Sequence, residues 1–174
     1  MTIHFGDSTS IASGGSLGKV LQVVQTASTG TTSEYIGVGN YGAGYLSRAI
    51  TTASSSSKVL IHAILSCGDN ASIGLAVFRN NTLISNASGN QGSNRGNRKS
   101  LSSMQNCGSD YQIASIPIHF LDHPNAAGTF TYTVKPFLRD NNASTLAINR
   151  TVADQNNAWD STAASFIILT EFSS

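Results

Sequence analysis

The sequence predicts an all-β protein, a jelly-roll-like β-sandwich with a flexible N-terminal arm. Charged residues make up only 11% of the chain, whereas the outer faces of helices in soluble proteins normally carry many Glu, Lys and Arg residues. Short stretches rich in β-branched and aromatic residues recur along the chain, separated by Gly, Asn and Ser, and such punctuation is typical of strands and turns. We therefore expect a sandwich of about eight to ten strands.

The chain divides into an N-terminal arm, residues 1–18, and a β-sandwich domain, residues 19–174. The arm is dominated by Gly, Ser and Thr, and its apolar residues are too sparse to build a core element; they are Ile3, Phe5, Ile11 and Leu17. Ile3 and Phe5 alternate with polar neighbours, as a short strand added to a foreign sheet edge would. We expect these residues to anchor the arm to a partner, and a disordered tail is the alternative.

The first half of the domain begins with the strand "KVLQVVQT", residues 19–26, followed by short strands in "EYIGVG" and "YLSRAITT". The next segment, "KVLIHAILSCG", has apolar side chains on both of its faces, so we expect both faces to be covered. His62 within it is interpreted as a core or interface histidine. "ASIGLAVFRNNTLISN" predicts a hairpin that turns at Asn80 and Asn81, since Asn tolerates the positive φ of tight hairpin turns.

Residues 87–106 lack an apolar pattern, and loops of that length are usually functional or mobile. The strand pattern resumes in "YQIASIPIHFL", where Pro117 favours an edge or a bulge because it cannot donate to a ladder. "GTFTYTVKPFLRD", "TLAINRTV" and "ASFIILTEF" are further strands. The last is so apolar that it must be buried, and we expect it to pair with the first strand as adjacent central strands, with Ile167 or Leu169 in the core.

The bulk charge and the cysteines limit the possible partners. The net charge is +1, so no global field recruits nucleic acid or an anionic membrane, and a weakly charged surface suits association between copies. Neither a signal peptide nor a membrane span is recognised. Cys67 and Cys107 have no metal-binding spacing, and we expect buried free thiols rather than a disulfide, which remains the alternative. We expect no cofactor.

Candidates for catalysis are few, and we expect a non-enzyme. "HFLDH", residues 119–123, combines two imidazoles and a carboxylate, the parts of a zinc or general-base site. Pro124 ends the strand there, so a strand end that runs into a polar loop is favoured over a metal site. Glu171 and Asp110 lack an acidic companion in the sequence, so no glycosidase pair is predicted. No known nucleophile or phosphate-loop motif is present.

Two surface features remain as possible interface or receptor contacts. The loop "SNRGNRK" gathers Arg95, Arg98 and Lys99 without acidic residues. It also lacks the aromatic residues that stack on bases, so we favour a solvated loop or a contact with an acidic neighbouring protein over nucleic acid. Trp159 is the lone tryptophan, and it is interpreted as a sugar-stacking platform, an interface anchor or a lid over one end of the sandwich.

Several segments, taken in order, resemble small structural proteins of tailed bacteriophages, especially those that infect cyanobacteria. The segments are the opening "IHFGDST", then "GKVLQVVQT", "SSSSKVLIHAIL" and "SFIILTEF". The loops at residues 89–100 and 154–161 have no counterpart in the resemblance. It implies a virion protein, either a capsid decoration (cement) protein or part of a tail fibre or receptor-binding tip, commonly a trimer.

We expect a homotrimeric decoration protein on the outer capsid surface, whose arm binds the major capsid protein. No coiled-coil heptads or repeats that would form a fibre shaft are present. The alternative is a tail-fibre or receptor-binding head that recognises host-surface glycans; a polysaccharide-cleaving enzyme is a weaker one. Apolar strand faces are expected to form the threefold contact, together with tyrosines such as Tyr35, Tyr41 and Tyr45.

Overall fold

The computed structural model describes residues 18–69, 71–90, 98–139, 144–158 and 160–173, together with the backbone of two short strands in the arm. These parts of the chain are built almost entirely of strands. The bounds of the strands are β1 (Ile3–His4), β2 (Ser10–Ile11), β3 (Val20–Ser28), β4 (Thr32–Ile36), β5 (Leu46–Thr52), β6 (Lys58–Gly68), β7 (Ser72–Arg79), β8 (Thr82–Leu83), β9 (Ser103–Asn106), β10 (Ala114–Asp122), β11 (Gly128–Leu138), β12 (Ser144–Ile148) and β13 (Ser165–Phe172). A single turn of 3-10 helix, Ser85–Ala87, is the only helical element within the described ranges.

The first sheet is built around β6 and β13, with the antiparallel order β3-β13-β6-β10. Beyond the end of β13, β12 takes over the same side of β6 and pairs with its last residues, Cys67 and Gly68. β4 then adds to β12. The second sheet has the antiparallel order β5-β11-β7, and the far side of β7 pairs with β9 at one end and β8 at the other.

This strand order is that of a jelly roll. Along the chain, β3 and β6 lie in the first sheet and β5 and β7 in the second; β9 and β11 then lie in the second, and β10 and β13 in the first. Eight strands wound in this way between two sheets make the two Greek keys of a jelly roll. The predicted all-β sandwich is therefore confirmed, and β4, β8 and β12 are short additions to it.

The apolar strand that the sequence places near residue 170 is central, as predicted. β13 pairs with β3 on one side and with β6 on the other, and Ile167 and Leu169 are fully buried. The expectation that β3 is also central is wrong. Within the described residues β3 pairs only with β13 and forms an edge of the first sheet, which leaves Val23 58% exposed.

The core lies between the two sheets and is formed by alternate residues of each strand, as the pleat requires. β6 supplies the largest contribution to it, because five of its side chains point inward and are fully buried: Val59, Ile61, Ala63, Leu65 and Cys67. Its other face points away from the second sheet and is only partly buried. The expectation that both faces of this strand are covered is thus met on the inner face only within the described chain.

Two local predictions are confirmed. Asn80 and Asn81 have φ of 48° and 65° and join β7 to β8, whose residues Arg79 and Thr82 are paired. This is the two-residue hairpin that positive φ at both central positions permits. Pro117 lies in β10, which pairs only with β6 among the described residues, so its missing N–H falls at a sheet edge.

The predicted long loop at residues 87–106 is partly wrong. Its last four residues form β9, which pairs with Ser72–Leu75 of β7. These residues, "SMQN", carry no apolar alternation. They form a strand because the edge of β7 offers backbone groups that need partners. Pairing of this kind cannot be predicted from a side-chain pattern.

Candidate interaction surface

The outward face of the first sheet is a broad, weakly charged surface. We call it the apolar sheet face and define it by the outward side chains of β3, β13, β6 and β10. Its members are the outward residues in the rows from Lys58 to Ile64: Val23, Gln25, Ala27, Phe166, Ile168, Thr170, Phe172, Lys58, Leu60, His62, Ile64, Pro117, His119 and Leu121. All of them are exposed or partly buried, so none belongs to the core between the sheets.

The strand registers place these side chains in rows across the sheet. Ile168 of β13 lies between Gln25 of β3 and His62 of β6, and His62 is in turn paired with His119 of β10. The rows on either side contain mostly apolar residues: Val23, Thr170, Leu60 and Leu121 in one, and Ala27, Phe166, Ile64 and Pro117 in the other. The apolar sheet face is therefore continuous from edge to edge, not a set of isolated side chains.

Two stacked imidazoles lie within this face. The ring centroids of His62 and His119 are 4.3 Å apart with an interplanar angle of 37°, and Phe166 meets the His62 ring edge-on at 5.5 Å. Partial burial, and secondarily the neighbouring His119, lower the pKa of His62 below its usual value. His62 is partly exposed on the outer face, so the interpretation of it as a core histidine is wrong.

Charge is nearly absent from the apolar sheet face. Lys58, at the start of β6, is its only residue with a permanently charged side chain. The two carboxylates of the same four strands, Asp122 and Glu171, point inward and are buried. This separation follows from the two-residue period of a strand, which sends neighbouring side chains to opposite faces.

Glu171 links the two sheets at one edge of the sandwich. Its Oε2 accepts a hydrogen bond of 2.7 Å from the Gln22 side chain on β3, and its Oε1 accepts one of 2.7 Å from the backbone N–H of Ala53 after β5. Burial disfavours its charged form, but these hydrogen bonds outweigh burial and hold the pKa of Glu171 below its usual value. The side chain is fully engaged in joining the two sheets.

Asp122 plays a similar part at the other edge. Its Oδ2 accepts hydrogen bonds of 2.6 Å from the Tyr132 hydroxyl and from the Arg79 guanidinium, both on the second sheet. Burial, and next the Asp122 carboxylate, raise the pKa of Tyr132. Sequence reasoning did not find this cluster, because its members are far apart in the chain and no local pattern connects them.

The predicted "HFLDH" group does not converge on one site. His119 faces outward on the apolar sheet face, Asp122 points inward, and His123 is exposed beyond the end of β10. This is a strand end running into a polar loop. In the part of the chain that the structure describes, no group of three His, Cys, Asp or Glu side chains is placed to hold a metal ion.

A polar cavity of about 330 Å³ opens beside Asp122. Arg79 and Asp122 line it from the two sheets, and His123 and Asn125 line it from the loop after β10. Asn86 closes it from the short 3-10 turn. Its lining therefore offers both hydrogen-bond donors and acceptors to a polar ligand.

The three predicted trimer tyrosines occupy different environments. Tyr35 is 70% exposed on β4. Tyr41 packs edge-on against Phe78 with a centroid distance of 5.2 Å, and its hydroxyl donates to the carbonyl of Ser100. Burial, followed by the neighbouring Glu34, raises the pKa of Tyr45 to about 12. Tyr41 and Tyr45 thus make contacts within the chain, and Tyr35 is the one that projects into solvent.

Several other predicted contact residues lie outside the described residues, namely Phe5, Leu17, Arg95 and Trp159. Of the basic loop, Arg98 and Lys99 are exposed, and the Lys99 ammonium lies 5.9 Å from the centre of the Tyr41 ring. In the arm, Ile3 and Ile11 are paired across the antiparallel strands β1 and β2. The predicted interface or receptor contacts of the basic loop and Trp159, and the predicted capsid contacts of the arm, stay predictions.

The cysteines are free and buried, as expected. The Cys107 thiol lies 3.3 Å from the carbonyl oxygen of Gln112 and 3.8 Å from that of Cys67. Burial, together with the nearby Cys107 and Asp69, raises the pKa of Cys67. A buried thiol with a raised pKa is unreactive in the folded protein.

Comparison with known proteins gives no family for this chain: no family model matches it, and neither does any curated protein. Among the described residues, no helix is long and apolar enough to cross a membrane.

Proposed function

We propose that this chain is a structural protein of a tailed-phage virion, a homotrimeric decoration protein bound to the outer surface of the capsid. The observation that carries the proposal is the apolar sheet face, which the described chain leaves open to solvent. Apolar patches of this kind on a monomer mark interaction sites. A jelly roll with such a face is suited to association, and the resemblance of its strand segments to phage structural proteins supports a position in the virion.

The major capsid protein is the proposed partner of the arm. The arm already has strand character, since Ile3–His4 pairs with Ser10–Ile11. A strand of this kind can add to the exposed edge of another protein's sheet, where backbone hydrogen bonds give affinity and alternate side chains give specificity. The sandwich domain then remains outside the capsid, where copies can meet.

The test adds purified protein to phage heads that lack it and locates it by electron microscopy. The full chain should bind the head surface, and a variant lacking residues 1–15 should keep its fold and its self-association but lose head binding. Head binding by the truncated variant at full strength would remove the arm as the anchor. Binding of the full chain to tails or host cells, and not to heads, would overturn the decoration role.

The second candidate is a receptor-binding head that recognises host-surface glycans, and the polar cavity beside Asp122 favours it. Arg79, His123 and Asn125 can all hydrogen-bond to sugar hydroxyls there. If this candidate holds, the protein should bind host cells, and His123→Ala, at an exposed residue of the cavity lining, should weaken that binding at unchanged stability. The matched control is Thr129→Ala, an exposed substitution on the outer face of the second sheet. Equal binding by both variants would exclude the cavity as the receptor site.

A further inference from the structure

We propose that the apolar sheet face is the surface through which copies of this chain associate, and that the stacked His62–His119 pair makes this association pH-dependent. The inference deepens the proposed assembly role and rests on it. Its occupant is the same face of another copy: the faces of the three copies of the proposed trimer converge on the threefold axis, where residues near the axis approach their own counterparts.

The size of the face fits a contact of limited strength. Four strands about 4.8 Å apart, each contributing about seven residues at about 3.4 Å, span roughly 450 Å². The largest apolar patch of a typical monomer covers about 300–600 Å² and is often functional. Each partner in a standard interface contributes about 800 Å². A self-contact through this face alone is therefore weak enough for charge repulsion within it to dissociate the copies.

The charge distribution fits a second copy better than a charged partner. When identical faces meet, each charge on one copy approaches the same charge on another, so a self-contact requires a face nearly free of charge. Lys58 is the only permanently charged residue here, and it lies at the start of β6, two rows away from His62. This face offers almost no charged groups with which a partner of complementary charge could pair.

The histidine pair is the exception, because its charge depends on pH. Histidine is the side chain whose charge ordinarily changes close to neutral pH. The pKa of His62 lies below its usual value, so this ring is neutral at pH 7.5 and adds to the apolar surface. Protonation places two like charges on rings whose centroids are 4.3 Å apart. In the assembled state the neighbouring copy removes water from these rings, which disfavours the charged forms further.

Among the residues that the structure describes, no carboxylate faces this pair. The neighbouring strands β13 and β3 present Phe166, Ile168 and Gln25 to the pair, none of which titrates. The acidic groups of the same strands, Glu171 and Asp122, point inward and are held by other partners. Lys58, the remaining titratable group of the face, carries the same sign as a protonated histidine.

The sign of the effect follows from linkage. Assembly buries His62 further and lowers its pKa further, so separated copies bind more protons than assembled ones at acid pH. Association is therefore fully present above the lowered pKa that His62 has in the separated copy, and it is lost as pH falls below that pKa. Each proton taken up on separation weakens association by on the order of tenfold per pH unit.

The experiment measures the molecular mass of the full chain in solution by sedimentation equilibrium at pH 7.5 and pH 5.0. The wild type should self-associate at pH 7.5 and dissociate at pH 5.0, with its apparent dissociation constant raised at least about tenfold. Ile168→Glu should abolish self-association at pH 7.5. The matched control is Ala49→Glu, which adds the same charge at an exposed position on the outer face of the second sheet and should associate normally.

The double variant His62→Gln/His119→Gln tests the switch itself, since it retains polar side chains that do not titrate. It should associate equally at the two pH values. A circular dichroism spectrum and a thermal midpoint are recorded for every variant. If Ile168→Glu does not fold, Ile64→Gln, at a neighbouring position of the same face, takes its place.

Three outcomes would overturn the inference: a wild type that stays monomeric at high micromolar concentration, normal association of a folded Ile168→Glu variant, or unchanged pH dependence in the double histidine variant. A chain that associates only after residues 1–17 are removed would assign the face to the arm instead of a second copy. Self-association without head binding would overturn the decoration role and leave this inference standing.

Discussion

The outer faces of the two sheets of this jelly roll differ in how far other segments of the chain cover them. On the second sheet, Tyr41 lies over Phe78 and Phe137, and the loop that carries it is tied to β11 by a hydrogen bond from Gly42 to the carbonyl of Pro136. Leu101 sits on the same sheet, so close to Gly74 that a Cβ there would lie 2.4 Å from its Cδ1. None of the described segments covers the first sheet in this way.

The remaining outer surface of the second sheet also differs in chemistry. Where no loop covers it, its strands present hydroxyl side chains, and pairs such as Ser47–Thr133 and Thr51–Thr129 hydrogen-bond across strands at 3.1 Å and 2.8 Å. That surface is compatible with water. On the first sheet a pair of this kind, Ser66–Ser115 at 3.0 Å, lies at the end of β6 and β10. The rows between Lys58 and Ile64 present mainly apolar side chains instead, and we infer that another molecule completes this part of the surface.

The largest expected effect separates the two sides of one strand. Leu169 and Ile168 are neighbours on β13, but Leu169 is fully buried and Ile168 faces outward. Leu169→Ala should lower the free energy of unfolding of the dilute monomer by about 2–5 kcal/mol, because it leaves a cavity between the sheets. Ile168→Ala is the control and should cost about 1 kcal/mol or less. Equal losses in urea unfolding would contradict the assignment of the two faces.

Tyr41→Ala should cost about 2 kcal/mol, because it removes the aromatic ring that covers Phe78 and Phe137 and leaves the carbonyl of Ser100 without its 2.8 Å hydrogen bond. Tyr41→Phe removes only the hydrogen bond and should cost about half as much. The loss should appear equally in dilute and concentrated protein, because the contact is within one chain. A loss seen only in concentrated protein would instead make Tyr41 a contact between copies.

The buried edge that joins the sheets should respond to pH. Glu171→Gln should cost about 1–2 kcal/mol at pH 7, because an amide has one acceptor oxygen: of the two charged hydrogen bonds that Gln22 and Ala53 donate, one becomes neutral and the other is lost. The pKa of Glu171 lies below the usual 4.5, so its contribution is fully present above pH 4.5 and is lost as pH falls through the lowered value. Urea unfolding of the two proteins should therefore converge at acid pH, and a constant difference from pH 7 to pH 3 would contradict this account.

The smallest effect is expected at Val23, which is 58% exposed on β3. Val23→Ser should change the stability of the dilute monomer by about 0.5 kcal/mol or less, yet it should weaken self-association, because Val23 belongs to the apolar sheet face. Comparing thermal unfolding with sedimentation separates the two readouts. A large loss of monomer stability would mean that the chain itself covers this position.

Much of the fold could be predicted from the sequence because strand signals are local. The alternation in β11, the apolar run of β13 and the Asn80–Asn81 turn each depend on neighbouring residues, and all three appear where they were expected. β9 could not be predicted, since its pairing depends on the edge of β7 and its own residues carry no pattern. The edge position of β3 was missed because strand order depends on long-range pairing.

The candidate surface could be predicted only in part. The two apolar sides of β6 indicated that both would be covered, and the inner side is. The stacking of His62 on His119 could not be found, because it depends on the register of two strands separated by 45 or more residues of other structure. The same holds for Asp122, Arg79 and Tyr132, which only the packing of the sheets brings together.

The buried thiol of Cys67 can serve as a probe of local opening of the sandwich. Cys67 lies on β6 in the core, and Cys107 sits directly after β9, so a water-borne thiol reagent reaches Cys67 only when the sandwich opens there. Under conditions where reclosing outpaces labelling, the labelling rate divided by that of an unprotected thiol gives the population of the open form. Because Cys67 also lies where β12 replaces β13 as the partner of β6, that ratio reports the fraction of time for which this junction is open.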